Sequence, residues 1–232
     1  MLYAPINAIT WTIGSIPTTR FGIKGLMTYR KTKSPFSRRY GLMAVLLGFS
    51  FFMLGVPPLF TQDVGILHIT SFIADVFVQA GLQVLVWLLW FIGLRKYFKL
   101  SQLLSVSIIY SVVLLTIELM TSHVIIQIHP SLVQYVDKPI VLILKSIIYL
   151  ALALPLGFFF LAQVPKAPDL IAKLKSVMTA MVFILVSVAA TANNIFDKGS
   201  DTVSSATTLA IFFTVFLFIS LIPSRSEVKG KK

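Results

Sequence analysis

Residues 67–94 read LHITSFIADVFVQAGLQVLVWLLWFIGL, a stretch with one carboxylate, Asp75, and no lysine or arginine. A helix needs about 20 mainly apolar residues to cross about 30 Å of hydrocarbon, and this stretch exceeds that length. Inside it Ser71, Asp75, Gln79 and Gln83 recur at every fourth residue. Lipid cannot satisfy such groups, so the line they form must face a bundle interior or a wet cavity. The stretch predicts one member of a membrane helix bundle with a polar seam.

Five more segments of the same kind lie at 41–60, 101–124, 139–163, 174–195 and 204–223. A shorter uncharged candidate covers 2–17, LYAPINAITWTIGSIP, and includes Asn7, Thr10 and Thr12. We expect it to span rather than to lie in the interface. The fold class expected is an all-α integral membrane protein, a bundle of seven transmembrane helices, or six if the first segment is interfacial. Residues 1–223 then form one polytopic domain and 224–232 a short basic tail. Composition agrees: of 232 residues 57% are apolar and 12% charged, against roughly 45–50% and about 25% in soluble domains. Mean hydropathy is +0.91. Cys is 0, which removes thiolate metal sites, disulfides and a cysteine nucleophile.

The net charge of +12 would suggest nucleic acid in a soluble protein, but its distribution points elsewhere. Seventeen of the 20 basic residues fall in alternate loops and the tail: Arg20 to Arg39, Arg95 to Lys99, Lys166 to Lys175, and Arg225 to Lys232. The intervening loops, expected at 61–66, 125–138 and 196–203, hold only Lys138 and Lys198. The positive-inside rule makes the first set cytoplasmic, with the N-terminus outside if 2–17 spans, in the plasma membrane. Residues 18–40 read as a basic cytoplasmic loop, with Phe21, Ile23, Leu26, Met27 and Tyr29 lying on the membrane surface. The expected partners are the bilayer, a small solute or ion, and a membrane-protein partner or second copy; nucleic acid is not expected.

Gly41, Gly48 and Gly55, with Ala44, fall near one face of the segment at 41–60 and read as a packing seam. Ser107, Ser111, Glu118 and Ser122 form a second polar line, within about 60° on an ideal helix. Lys145 and Tyr149 are one turn apart on the next segment; Ser187, Thr191 and Asn194 follow on the one after. At about 1.5 Å rise per residue, Asp75 sits about 12 Å, and Glu118 and Lys145 about 9 Å, from the outer ends of their helices. An unpaired charge there costs about 2.5–3.5 kcal/mol on insertion scales, so Glu118 and Lys145 are expected to pair. Asp75 has no cation at its depth but that same lysine. The candidate substrate- or ion-binding residues are therefore Asp75, Glu118, Lys145, Gln79, Ser71, Tyr149, Thr191 and Asn194. His68 and His123 lack a third ligand, so no metal is expected.

No HExxH, GxSxG or Walker sequence is present, and the last segment has no lysine for a retinal. Neither a cofactor nor an enzyme activity is expected. Ionisable groups at one depth point first to a small transporter or solute-binding protein, with proton linkage and an outward-facing cavity expected. A seven-helix sensor signalling through a separate partner is the second reading, and a structural subunit of a larger membrane complex the third.

Overall fold

The computed structural model describes residues 6–120, 124–129, 132–136 and 138–195. The order of elements is α1 (Ile6–Thr32), α2 (Pro35–Gly55), α3 (Pro57–Phe60), α4 (Val64–Ile92), α5 (Leu100–Met120), β1 (Val124–His129), β2 (Leu132–Val136), α6 (Pro139–Gln163) and α7 (Leu170–Ile195). Single 3-10 turns follow α4 and α6, at Leu94–Lys96 and Val164–Lys166.

Local chemistry accounts for the helix starts. Asp63 Oδ1 accepts from the Ile66 amide at 2.9 Å and opens α4; Asp169 Oδ1 does the same for Ala172 at 2.7 Å and opens α7. Gln102 Oε1 reaches back to the Lys99 amide at 3.1 Å, the second half of a capping box, at the head of α5. Pro35 and Pro139 stand in the first turns of α2 and α6, where their missing N–H costs no helical bond.

Among the described residues, four stretches are long and apolar enough to cross a membrane: Pro35–Phe60, Val64–Ile92, Leu100–Met120 and Pro139–Lys166. These correspond to the expected segments at 41–60, 67–94, 101–124 and 139–163. The segment at 174–195 is helical within α7, which is not one of the four, and 204–223 lies outside the described residues. The helices expose apolar rows, such as Ile66, Ile69, Ile73 and Val76 on α4 and Ile140, Ile143 and Ile147 on α6. Ser71, Gln79, Ser107, Ser111, Glu118 and Lys145 are buried between them. Apolar outside and polar inside is the arrangement that suits lipid contact.

Two expectations are corrected. Residues 2–17 and the basic loop 18–40 are not separate: one helix runs from Ile6 to Thr32 through Pro17, and the chain reverses within Lys33 and Ser34. Lys33 takes φ 53, in the left-handed region, to make that reversal. The reason is packing against α2. A Cβ at Gly41 would meet Gly22 O at 2.7 Å, and one at Gly55 would meet the Thr12 amide at 2.5 Å; Gly48 abuts Thr19. Backbone contact over this length outweighs the interruption that Pro17, Arg20 and Lys24 suggest. The packing seam at Gly41, Gly48 and Gly55 is the α1–α2 interface, and the two helices run antiparallel.

The second correction concerns the loop expected at 125–138. It holds an antiparallel hairpin, with Val124 paired to Val136, Ile125 to Tyr135, Ile126 to Gln134 and His129 to Leu132, and an irregularity between Ile126 and His129. β-branched residues on both sides of His-Pro-Ser favour that form over open loop. β1 lies beside α4 and β2 beside α1.

α4 is central, packed on α2, α5 and α6, and α7 packs along α6. The apolar core fills the half of the bundle near the α4 C-terminus, where Met43, Leu82, Leu85, Trp87, Leu88, Ile148, Leu156 and Phe183 meet. An aromatic chain extends it: Phe160 stacks on Phe183 at 5.9 Å and meets Phe36 edge-on at 6.4 Å, and Phe36 stacks on Tyr40 at 5.9 Å. Arg39 lies over the Trp87 ring at 3.8 Å. The other half of the bundle holds the polar groups.

Candidate functional site

The four-residue line on α4 meets the line on α5 in two steps. In the first, Ser111 Oγ donates to Gln79 Oε1 at 2.8 Å and accepts from Gln83 Nε2 at 2.9 Å. One hydroxyl thus joins two glutamines a turn apart and sets α5 in register on α4. Tyr110 OH donates to Leu144 O at 2.7 Å and ties α5 to α6. Among the described residues, Gln79 Nε2, Gln83 Oε1 and Ser107 Oγ are buried without hydrogen-bond partners, leaving donor and acceptor capacity along this seam.

The second step lies one to two turns further along. Lys145 Nζ on α6 is 2.8 Å from Glu118 Oε1 on α5 and 3.1 Å from Asp75 Oδ2 on α4. Three helices therefore converge on one ammonium. The Glu118 side chain is 0% accessible, Lys145 10% and Asp75 20%. Asp75 is the open end of the triad and Glu118 its closed end. With all three ionised the triad carries a net charge of −1. Taking charges out of water costs several kcal/mol each, and the attraction within one pair offsets this only when geometry is good. Counting these three groups alone, a proton on one carboxylate would balance the charge.

The remaining candidates are placed as follows. Ser71 is buried, and its hydroxyl donates to His68 O at 3.0 Å within α4. Tyr149 packs against the apolar core, one turn beyond Lys145. Thr191 and Asn194 lie in the last turns of α7, and their side chains are outside the described residues, as are His123 and Ser122. Among the described residues no three His, Cys, Asp or Glu side chains group to hold a metal. The structure thus brings together Asp75, Glu118 and Lys145 and sets Gln79 beside them. Sequence reasoning omitted Ser111, Gln83 and Tyr110 from the site, although the first two were visible as members of the polar lines.

No protein-family model, curated protein or solved structure matches the chain.

Proposed function

We propose that this multi-pass membrane protein binds or moves a small solute or ion in a proton-linked manner, with Asp75, Lys145 and Glu118 as the exchange site. The observation that carries the reading is one lysine shared between two carboxylates of unequal accessibility. In the resting arrangement Lys145 holds both carboxylates. A proton arriving at Asp75, the accessible member, neutralises that carboxylate and leaves Lys145 paired with Glu118. The triad then carries no net charge and can be enclosed. An uncompensated intramembrane charge costs about 2.5–3.5 kcal/mol on insertion scales, which shifts the balance between open and closed states on the order of a hundredfold. A cationic solute at Asp75 would act in the same sense, and so compete with the proton.

In this reading α1 crosses the membrane beside α2, and the segment at 204–223 supplies a seventh span. The basic ends of the helices face the cytoplasm and the triad opens to the outside of the plasma membrane. The basic asymmetry of the loops supports that orientation.

A structural role is the second reading, favoured by the Gln79–Ser111–Gln83 contacts and the complete burial of Glu118. Interhelical polar groups of this kind pin helices in register. The two separate in purified protein reconstituted in liposomes, with internal pH followed as candidate solutes are added. Asp75→Asn keeps size and polarity but cannot ionise, and should abolish proton-linked flux while the protein stays folded. If parent and variant behave alike in flux, solute binding and pH response, the triad is a structural pin.

A further inference from the structure

The turn between α4 and α5 borders a shallow, open cleft of about 470 Å³, lined by Trp90, Arg95, Lys96, Tyr97, Lys99 and Gln102 together with Phe98 and Leu100. Its walls are held from within. Trp90 Nε1 donates to Phe98 O at 2.9 Å, folding the turn back on α4, and the Tyr97 amide closes the 3-10 turn on Leu94 O at 3.0 Å. Three cations line the cleft, no acidic residue does, and among the described residues none of the three makes an ion pair. The N-terminus of α5 opens at the same place, adding the positive end of a helix dipole. Trp90 and Tyr97 are of the aromatic types enriched at headgroup level.

One further feature distinguishes the occupant. Gln102, Val106, Ile109 and Val113 fall on one face of α5, within about 60° on an ideal helix. Val106, Ile109 and Val113 are all exposed. An apolar track therefore leads from the rim of a tricationic cleft along the lipid-facing side of α5. A free anion has no use for the track, whereas a molecule with a phosphate at one end and acyl chains at the other uses both.

We propose that this cleft binds the phosphate-bearing headgroup of an anionic phospholipid, with Arg95, Lys96 and Lys99 holding the phosphate and the α5 track taking an acyl chain. Basic pockets flanking membrane helices favour such headgroups over zwitterionic ones. The inference is independent of the reading of the charge triad.

The test uses full-length protein in a neutral detergent, titrated with dioctanoyl phosphatidic acid, dioctanoyl phosphatidylcholine or inorganic phosphate, with bound adducts counted by native mass spectrometry. Phosphatidic acid should bind at least tenfold more tightly than phosphatidylcholine, and inorganic phosphate should compete only weakly. The triple variant Arg95→Gln/Lys96→Gln/Lys99→Gln should reduce the preference to less than twofold, and Arg95→Gln alone should reduce the affinity about threefold. A charge-matched control, Lys166→Gln/Lys173→Gln/Lys175→Gln, should keep the preference. Equal binding of inorganic phosphate would make this a free-anion site and overturn the proposal. So would an equal loss in the control, which would mean that only net charge matters.

Discussion

At the scale of single residues, the triad is an unequal arrangement, and its members should respond unequally to substitution. Lys145→Gln removes the ammonium that both carboxylates contact, and loss of one partner of a buried pair costs about 3–5 kcal/mol. Glu118→Gln leaves Asp75 and Lys145 as a balanced pair and forfeits one charged hydrogen bond, about 1.5–3 kcal/mol. The expected order in unfolding measured in mixed micelles is therefore Lys145→Gln well below Glu118→Gln. Acidification should rescue Lys145→Gln, because protons neutralise the carboxylates that the lysine no longer faces. Equal losses for the two variants would show that Glu118 and Asp75 do not share the lysine. Asp75, Glu118 and Lys145 were legible in the sequence because charge within an apolar helix is rare and depth follows from counting residues. The Ser111 bridge was not, since which serine of α5 meets which glutamine of α4 depends on the register of one helix against another. Periodicity within either helix carries no information on that.

At the scale of elements, hydropathy matched four stretches long and apolar enough to cross a membrane, but it missed the continuity of α1. Its span at 174–195 falls in α7, which is not one of the four. The span expected at 139–163 coincides with α6 at both ends, because Lys138-Pro139 and Val164-Pro165 mark the boundaries chemically. α1 was divided in two because Pro17, Arg20 and Lys24 look like an exit from the membrane. What holds it continuous is the glycine face of α2, a feature legible as a seam but silent about its partner. That seam makes a direct prediction. Gly41→Ala places a methyl 2.7 Å from both Gly22 O and the Leu26 amide, backbone atoms that move only if the helices separate. It should cost about 1–3 kcal/mol, the usual range for overpacking. Gly81→Ala meets nothing nearer than 3.9 Å and should be neutral or stabilising by up to about 1 kcal/mol through helix propensity. Thermal unfolding of the two variants in one detergent checks the contrast, and similar melting points would contradict the close α1–α2 approach. The hairpin at β1–β2 is hard to read from sequence for a different reason: two strands of five or six residues, set between long apolar helices, carry too little alternation to stand out.

At the scale of the molecule, three of the four apolar stretches separate Gln62 from Lys166. If each of the three crosses, the odd number puts the two residues on opposite sides. The chain has no cysteine, so Gln62→Cys and Lys166→Cys can be labelled singly in intact cells with an impermeant thiol reagent. Gln62→Cys should react from outside and Lys166→Cys only after permeabilisation; reaction of both from outside would break the arrangement. The architecture also divides its labour by depth, with an apolar and aromatic core at the basic ends of the helices and polar contacts at the other. The α1–α2 pair carries one more consequence, for biogenesis. α1 is not among the helices apolar enough to cross alone, yet its backbone lies against α2 along a glycine seam closed by a two-residue turn. In the proposed arrangement, where α1 crosses beside α2, α1 alone is the less favourable guest in lipid. The two helices would then enter the bilayer together, as a finished hairpin.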